Sequence, residues 1–156
     1  MKLTIFCDGL TEPTNPNGYG CVAFVVFAGE VSGRRYAERP LPVHQSYACI
    51  ARPGAGITNN VCEYRAVRGA LKWLITNTHQ AAKDCDEVEI RTDSQLVVKQ
   101  VAGDWATKAD HLRVFRDECR QMLSQIRIPV RLRWIPREEN DVADALTRVA
   151  YEKARA

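Results

Sequence analysis

The hydrophobic pattern of the chain changes its period near residue 58, and this change constrains the fold more than any other feature. Before it, three segments are rich in β-branched and aromatic residues, as is typical of strands, and they span residues 3–8, 19–28 and 45–51. After it, apolar residues recur at helical spacing over residues 59–75, 110–126 and 139–153. Between these helical segments lie two short strand patterns and one short helix, at residues 87–93, 130–135 and 94–101.

The predicted element order is therefore β-β-β-α-β-α-α-β-α. Three consecutive strands followed by alternating strands and helices predict an α/β fold with a five-stranded mixed sheet, three strands antiparallel and then two parallel, with helices on both faces. The fourth strand is expected to lie parallel to the first, after a right-handed crossover. Asn59 or Asn60 is expected to cap the first long helix. Residues 29–42 are polar and contain Gly33, Pro40 and Pro42, so they predict an irregular connection.

Length and composition place the chain among ordinary globular proteins. Its 156 residues fit one domain over residues 1–156, and 46% of them are hydrophobic and 26% charged. The net charge of +3 permits nucleic-acid binding without demanding it. No apolar run approaches the roughly 20 residues of a membrane span, and the N-terminus has the pattern of a first strand rather than of a signal peptide. We therefore expect a cytoplasmic protein with no membrane contact.

The cysteines suggest no zinc site. The six of them form no CxxC pair and stand at no zinc-finger spacing from a histidine. Reduced thiols are the expected state in the cytosol, and a disulfide would be expected mainly in a protein from a hyperthermophile. The cysteines are Cys7, Cys21, Cys49, Cys62, Cys85 and Cys119.

Four acidic residues stand at positions where the predicted fold could bring them together. Asp8 and Asp93 end the first and fourth strands, Glu63 lies in the first turn of the first long helix, and Asp144 lies in the last helix. Carboxylates that meet at one sheet edge repel one another unless a cation intervenes, and hard oxygen ligands suit Mg²⁺ or Mn²⁺. Two such ions about 4 Å apart can activate water and stabilise the leaving oxygen of a phosphodiester.

Each acid also has an ordinary structural interpretation. An Asp at a strand end is commonly a turn residue or a helix cap. Glu63 in a first helical turn interacts favourably with the helix dipole. Asp144 alone would be a solvated helix residue. The spacing of the four acids in the sequence therefore does not by itself establish a metal site.

Four short motifs decide in favour of the acidic cluster. In chain order they are DG at 8–9 with NPNGYG at 15–20, TNNVCE at 58–63, TDSQ at 92–95 and NDVAD at 140–144. In this order and on these elements they resemble the type 1 ribonuclease H family over most of the chain. The resemblance is to archaeal-type members and their bacterial relatives, which lack a basic protrusion and an active-site-loop histidine.

The resemblance implies a ribonuclease H-like fold and an endonuclease that hydrolyses the RNA strand of RNA–DNA hybrids. Asp8, Glu63, Asp93 and Asp144 would be the catalytic, metal-binding carboxylates. They would hold two Mg²⁺ or Mn²⁺ ions when substrate is bound, and hydrolysis would leave 5′-phosphate and 3′-hydroxyl ends. Asp141 does not match the motif position.

The resemblance also implies substrate-binding residues. These are Asn15, Thr58, Asn59, Asn60, Gln95 and Trp105. The amides would contact the minor groove, where the 2′-hydroxyl distinguishes RNA from DNA, while Thr58 would hold a DNA phosphate and Trp105 would lie against the DNA strand. Turn and cap chemistry is the alternative for the amides, and core burial is the alternative for Trp105. Trp73 and Trp134 are expected in the core.

Three features depart from many bacterial members of the family. No histidine follows Trp134 in the loop before the last helix, where Arg137 or Glu138 is the only candidate substitute. The basic protrusion is missing. In the expected DNA-phosphate pocket, Gly56 and Ala109 replace a basic residue and an asparagine, and Lys108 or Arg52 could compensate.

Two other functions remain open at this point. Nucleases that cut DNA share this fold, although the TNN and TDSQ motifs disfavour them. A catalytically inactive module that binds hybrids is disfavoured because all four acids are retained. A reverse-transcriptase fragment is conceivable, but the methionine start favours a free-standing protein. We expect a monomer without an obligatory protein partner, since the acids and the hybrid contacts fit within one chain.

Overall fold

The structure is a computed structural model that describes residues 1–31, 40–77 and 84–156. Its strands are β1 Lys2–Glu12, β2 Tyr19–Ala28, β3 His44–Ala51, β4 Glu87–Thr92 and β5 Val130–Trp134. Its helices are α1 Asn59–Asn77, α2 Gln95–Ala102, α3 Asp110–Gln125 and α4 Asp141–Arg155, with a 3-10 turn at Arg137–Glu139 before α4. This order confirms the predicted α/β fold. Part of the connection predicted over residues 29–42, residues 32–39, lies outside the described residues.

The five strands form one mixed sheet in the order β3-β2-β1-β4-β5. The first three strands pair antiparallel, while β4 and β5 run parallel to β1. In the register of β1 and β4, Cys7 pairs with Thr92. The residues that follow this pair, Asp8 and Asp93, are consequently neighbours.

The alternation of side chains along the strands builds a core on each face of the sheet. On one face, Leu3 and Ile5 of β1 and Ile90 of β4 pack with α1, and α3 packs on α1. On the other face, Phe6 packs with Val142 at the start of α4. The sheet thus lies between two helical layers, and the elements that carry the four acids reach it from both sides. No helix in the described parts of the chain combines the length and apolarity needed to cross a membrane.

Strand β1 continues four residues beyond its predicted end at Asp8. Gly9 to Glu12 pair with Tyr19 to Val22, so these residues extend the hairpin. Asp8 therefore lies inside a strand and is only 4% exposed. Asp93 follows the last residue of β4, as expected.

The cap of α1 also differs from the prediction. The hydroxyl oxygen of Thr58 accepts a hydrogen bond from the N–H of Val61 at 3.3 Å, which is the side-chain pattern of an N-cap. Asn59 and Asn60 are instead the first two helical residues. A Thr-Asn-Asn sequence offers three capping side chains in a row, and local pattern alone does not select among them.

The prediction that Trp73 and Trp134 lie in the core is wrong for Trp134. This residue ends β5, which is an edge strand of the sheet in the described part of the chain, and it is 45% exposed. Trp73 is half-buried against the core and stacks on His44, with ring centroids 5.1 Å apart.

Candidate active site

The four acids predicted from the sequence share one pocket. Carboxylate oxygens of Asp8, Glu63 and Asp93 lie within 4.8 Å of one another. Asp144 lines the same cavity, of about 330 Å³, and its carboxyl group shares a hydrogen bond with that of Asp8. The cavity is lined by Asp8, Gly9, Leu10, Thr11, Glu12, Asn59, Glu63, Asp93, Arg137 and Asp144.

The sheet register and the two helical layers position these acids. The parallel pairing of β1 with β4 brings Asp8 and Asp93 side by side. Asp144 lies in the first turn of α4, on the face of the sheet that also carries the Asp8 side chain. Glu63 comes from α1, which covers the opposite face, and it reaches the pocket beside Gly9.

Gly9 allows α1 to come this close to β1. A Cβ atom at Gly9 would lie 2.3 Å from the backbone carbon of Cys62, a separation that real side chains do not tolerate. The backbone N–H of Gly9 also hydrogen-bonds to the carboxylates of Asp8 and Glu63. The close approach of α1 therefore requires a glycine at this position, and the backbone N–H of that residue helps to orient two acids.

The pocket concentrates negative charge away from water. Burial, followed by the neighbouring Asp93 and Asp144, raises the pKa of Asp8 to about 8. Burial and the carboxylate of Asp8 raise the pKa of Glu63 well above its ordinary value, and burial raises that of Asp93. The buried Oε2 of Glu63 has no hydrogen-bond partner among the described residues. A cluster of hard oxygen ligands that leaves one of them unpartnered fits a divalent cation.

Arg137 provides positive charge at this cavity. It belongs to the 3-10 turn before α4 and lines the pocket beside the acids. Its guanidinium acts to lower the pKa of both Glu63 and Asp93, although burial outweighs it. Arg137 thus lies in the loop that lacks a histidine, and it is one of the two residues considered as a substitute for that histidine.

Two residues that the sequence interpretation did not assign to the site hold Asp93 in place. Asn140 is fully buried, and its Nδ2 donates a 2.8 Å hydrogen bond to the carbonyl oxygen of Cys7. Its side chain also hydrogen-bonds to the carboxylate of Asp93 and lowers the pKa of that group. The Nε1 of Trp134 donates to the carbonyl oxygen of Asp93 at 3.2 Å. Asn140 is the first residue of the NDVAD motif, and this position was the available sequence signal for a role at the site. No such signal in the sequence marked the exposed Trp134.

The residues predicted to bind substrate surround the acids in different ways. Oδ1 of Asn15 accepts the backbone N–H of Asn59 at 3.1 Å, and Oδ1 of Asn59 accepts that of Thr11 at 2.8 Å. Both asparagines therefore take part in local structure, as the alternative interpretation held. Asn59 nevertheless lines the acid cavity.

The remaining predicted contacts face solvent. Asn60 and Gln95 are exposed, and Trp105 is 44% exposed, which argues against core burial as its role. At the position of the expected DNA-phosphate pocket, Gly56 adopts a φ of +77°, a backbone conformation that L side chains rarely adopt. A basic side chain at this position would therefore be strained.

Comparison with known proteins identifies the family. A family model described as "Reverse transcriptase-like" matches residues 42–150. Over 156 residues, the chain is 31% identical to the bifunctional protein Rv2228c of Mycobacterium tuberculosis, covering 99% of this chain and 36% of that protein. Over 99 residues, it is 38% identical to ribonuclease HI of Halobacterium salinarum, covering 62% of this chain and 45% of that protein. The chain thus spans less than half the length of these curated relatives.

A solved structure extends the likeness to three dimensions. LC11-RNase H1, in complex with an RNA/DNA hybrid, superposes with a TM-score of 0.77 at 28% sequence identity, covering 99% of both chains. Together with the order of the motifs and the sheet topology, these matches show that the chain belongs to the type 1 ribonuclease H family.

Proposed function

We propose that this protein is an endonuclease that hydrolyses the RNA strand of RNA–DNA hybrids and leaves 5′-phosphate and 3′-hydroxyl ends. The observation that carries the proposal is the convergence of four carboxylates, from β1, α1, the end of β4 and α4, in one cavity. Family membership supports it, because one relative is named a ribonuclease HI and a structural neighbour was solved with an RNA/DNA hybrid.

The donor set fits two Mg²⁺ or Mn²⁺ ions held by Asp8, Glu63, Asp93 and Asp144. All four side chains offer hard oxygen atoms, and softer sulfur ligands are absent from the lining of the cavity. When bound, such ions would supply activation of the attacking water and stabilisation of the leaving oxygen.

The protein's own residues orient the reacting groups. Asn140 hydrogen-bonds to the side chain of Asp93, and Trp134 donates to its backbone carbonyl oxygen. This ligand therefore needs little rearrangement before reaction. Arg137 presents a cation at the cavity, where a phosphate oxygen of the RNA strand would carry negative charge.

The surfaces beside the pocket suit a hybrid. The exposed amides of Asn60 and Gln95 can both donate and accept hydrogen bonds, as recognition of a 2′-hydroxyl requires. Asn15 and Asn59 complete the amide set, and Thr58 lies next to them at the start of α1. The exposed ring of Trp105 suits packing against the DNA strand.

One chain contains all four acids and all the proposed hybrid contacts, so we propose a monomer without an obligatory protein partner. A cytoplasmic location remains a prediction from the sequence.

The test is cleavage of matched RNA–DNA, RNA–RNA and DNA–DNA duplexes of one sequence, with Mg²⁺ or Mn²⁺. We expect cleavage of the hybrid alone, in its RNA strand, with the stated ends. Cleavage of duplex DNA would favour the nuclease class that shares this fold, and hybrid binding without cleavage would favour an inactive module.

Asp93→Asn links the activity to the pocket. It removes a charged ligand but keeps the shape of the side chain, so cleavage should be lost while the fold and hybrid binding persist. Asp141→Asn is the matched control, because it changes a carboxylate in the same first turn of α4 as Asp144 but outside the cavity lining. Full activity of Asp93→Asn would refute the assignment.

A further inference from the structure

Two of the six free cysteines face each other across neighbouring strands. Cys21 of β2 and Cys49 of β3 are direct partners in the antiparallel register. Side chains of such partners lie on the same face of the sheet, and their Cα atoms are about 4.5–5.5 Å apart, which lies within the range of about 4.4–6.8 Å found in disulfides. The two thiols also interact directly. Little backbone movement is therefore needed to join them.

The surroundings of the two thiols differ. Cys49 lies on the edge strand β3 and is exposed, at a surface cavity of about 250 Å³ that Ala150 and Ala154 of α4 also line. Cys21 beside it is fully buried, and burial raises the pKa of its thiol to about 12. An oxidant in solution consequently reaches Cys49 first, with the Cys21 thiol next to it.

We propose that Cys21 and Cys49 form a modification site, at which a hydroperoxide drives closure of a reversible cross-strand disulfide. In the first step the sulfur of Cys49 takes an oxygen from the peroxide: an S–O bond forms, the O–O bond breaks, and the peroxide is reduced to water or an alcohol. In the second step the sulfur of Cys21 attacks that of Cys49. An S–S bond forms, the S–O bond breaks, and the hydroxide leaves with the Cys21 proton as water.

The other cysteines provide internal comparisons. Cys62 lies near Cys21, whose backbone hydrogen-bonds to its sulfur, but it comes from α1 and is fully buried. Cys85 is also buried, and its sulfur donates to the carbonyl oxygen of Glu87 at 3.0 Å. Among the six, Cys49 is the exposed thiol, which makes it the entry point for oxidation.

The experiment uses the full, folded chain without metal or nucleic acid, so its result is independent of the nuclease assignment. The protein is treated with hydrogen peroxide, unfolded in urea, alkylated and analysed by intact and peptide mass spectrometry. We expect the loss of two hydrogen atoms, a linked peptide pair containing Cys21 and Cys49, and full reversal by dithiothreitol.

Two variants sharpen the result. Cys49→Ser should abolish the linkage and leave Cys21 alkylatable after unfolding, whereas the matched control Cys85→Ser should form the bridge as the parent does. The proposal is overturned if the parent protein accumulates sulfinic acid at Cys49 with Cys21 still free. It is equally overturned if the bridge maps to Cys62 or if no thiol is oxidised.

Discussion

Asn140 donates a hydrogen bond of 2.8 Å to the carbonyl oxygen of Cys7, a residue 133 positions earlier in the chain. The same side chain contacts the carboxylate of Asp93, and Asn140 is the N-cap residue of α4, whose first turn contains Asp144. One buried amide thus connects the three elements that carry Asp8, Asp93 and Asp144.

Replacing Asn140 should therefore impair both stability and turnover. Asn140→Ala leaves the buried Cys7 carbonyl without its donor, at a cost of about 1–3 kcal/mol in the free energy of unfolding. Looser placement of Asp93 should lower kcat by about 10²-fold. Urea unfolding and cleavage at saturating hybrid measure the two effects separately.

The control for this variant is Asn77→Ala. Asn77 donates to the carbonyl oxygen of Trp73 at 2.9 Å, far from the acids in the last turn of α1. It should lose some stability and keep its kcat. If both variants lose kcat equally, Asn140 has no positioning role.

Gly9→Ala should disrupt the approach of α1 to β1. The added methyl group would meet the Cys62 backbone at 2.3 Å, so α1 must shift and carry Glu63 with it. Overpacking of this kind costs about 1–3 kcal/mol or more, and we expect divalent-ion binding to weaken in any protein that still folds. Thermal unfolding and calorimetric Mg²⁺ titration test this.

Gly69→Ala is the contrasting substitution. Its methyl group would lie 3.5 Å from the ring of Phe24, an ordinary contact, inside a helix where alanine is favoured by about 0.5–1 kcal/mol. A destabilised Gly69→Ala together with an unaffected Gly9→Ala would contradict the packing described for these two glycines.

Arg137→Gln should slow cleavage and shift its pH dependence. Removing the guanidinium takes away an interaction that lowers the pKa of Glu63 and Asp93, so both acids should hold their protons to higher pH. We expect kcat to fall on the order of 10-fold or more, and the ascending limb of the pH–rate profile to move upward. Arg137→Lys should restore part of the rate.

The matched control for Arg137→Gln is Arg127→Gln, which replaces an exposed arginine. An unshifted pH–rate profile in Arg137→Gln would show that Arg137 does not lower the pKa of the two acids.

The metal-free protein should lose stability as the pH rises. The pKa of Asp8 is about 8 in the folded state against 3.8 for the ordinary group. The folded state therefore binds more protons between these values, and the free energy of unfolding falls across that window. Below this window Asp8 is protonated in both the folded and the unfolded state. Its contribution to the free energy of unfolding is therefore fully present at low pH and is lost as the pH rises through the folded pKa.

Urea unfolding in EDTA at about pH 5 and about pH 8 measures this slope. Asp8→Asn should flatten it, and Mg²⁺ should restore stability at the higher pH by binding the ionised acids. The exposed Asp104→Asn should keep the parental slope. A parental slope in Asp8→Asn would show that its carboxyl group does not titrate as described.

Hydrophobic periodicity and residue type predicted the order of the strands and α-helices among the described residues, but not the 3-10 turn at Arg137–Glu139. The end of β1 was missed, because only the pairing of Gly9 to Glu12 with β2 makes these residues part of the strand. The exposure of Trp134 was missed for a related reason: whether a strand lies at the sheet edge depends on distant segments.

The residues of the candidate site were likewise predicted only in part from the sequence. Asp8, Glu63, Asp93 and Asp144 were recognisable because motifs surround them. The network around them was not, because the bond from Asn140 to Cys7 joins residues far apart in the sequence. The raised pKa of Asp8 likewise depends on burial and on neighbours that only the folded chain provides.

The acids of the pocket come from near both ends of the chain, from residue 8 to residue 144. A cation bound among them would link Asp8 to Asp144 and so close residues 8–144 into a loop. Because such a ligand set does not exist in the unfolded chain, each tenfold rise in free ion above the dissociation constant should add about 1.4 kcal/mol of stability per site. The ambient concentration of divalent ions would then help to set the free energy of unfolding of this chain.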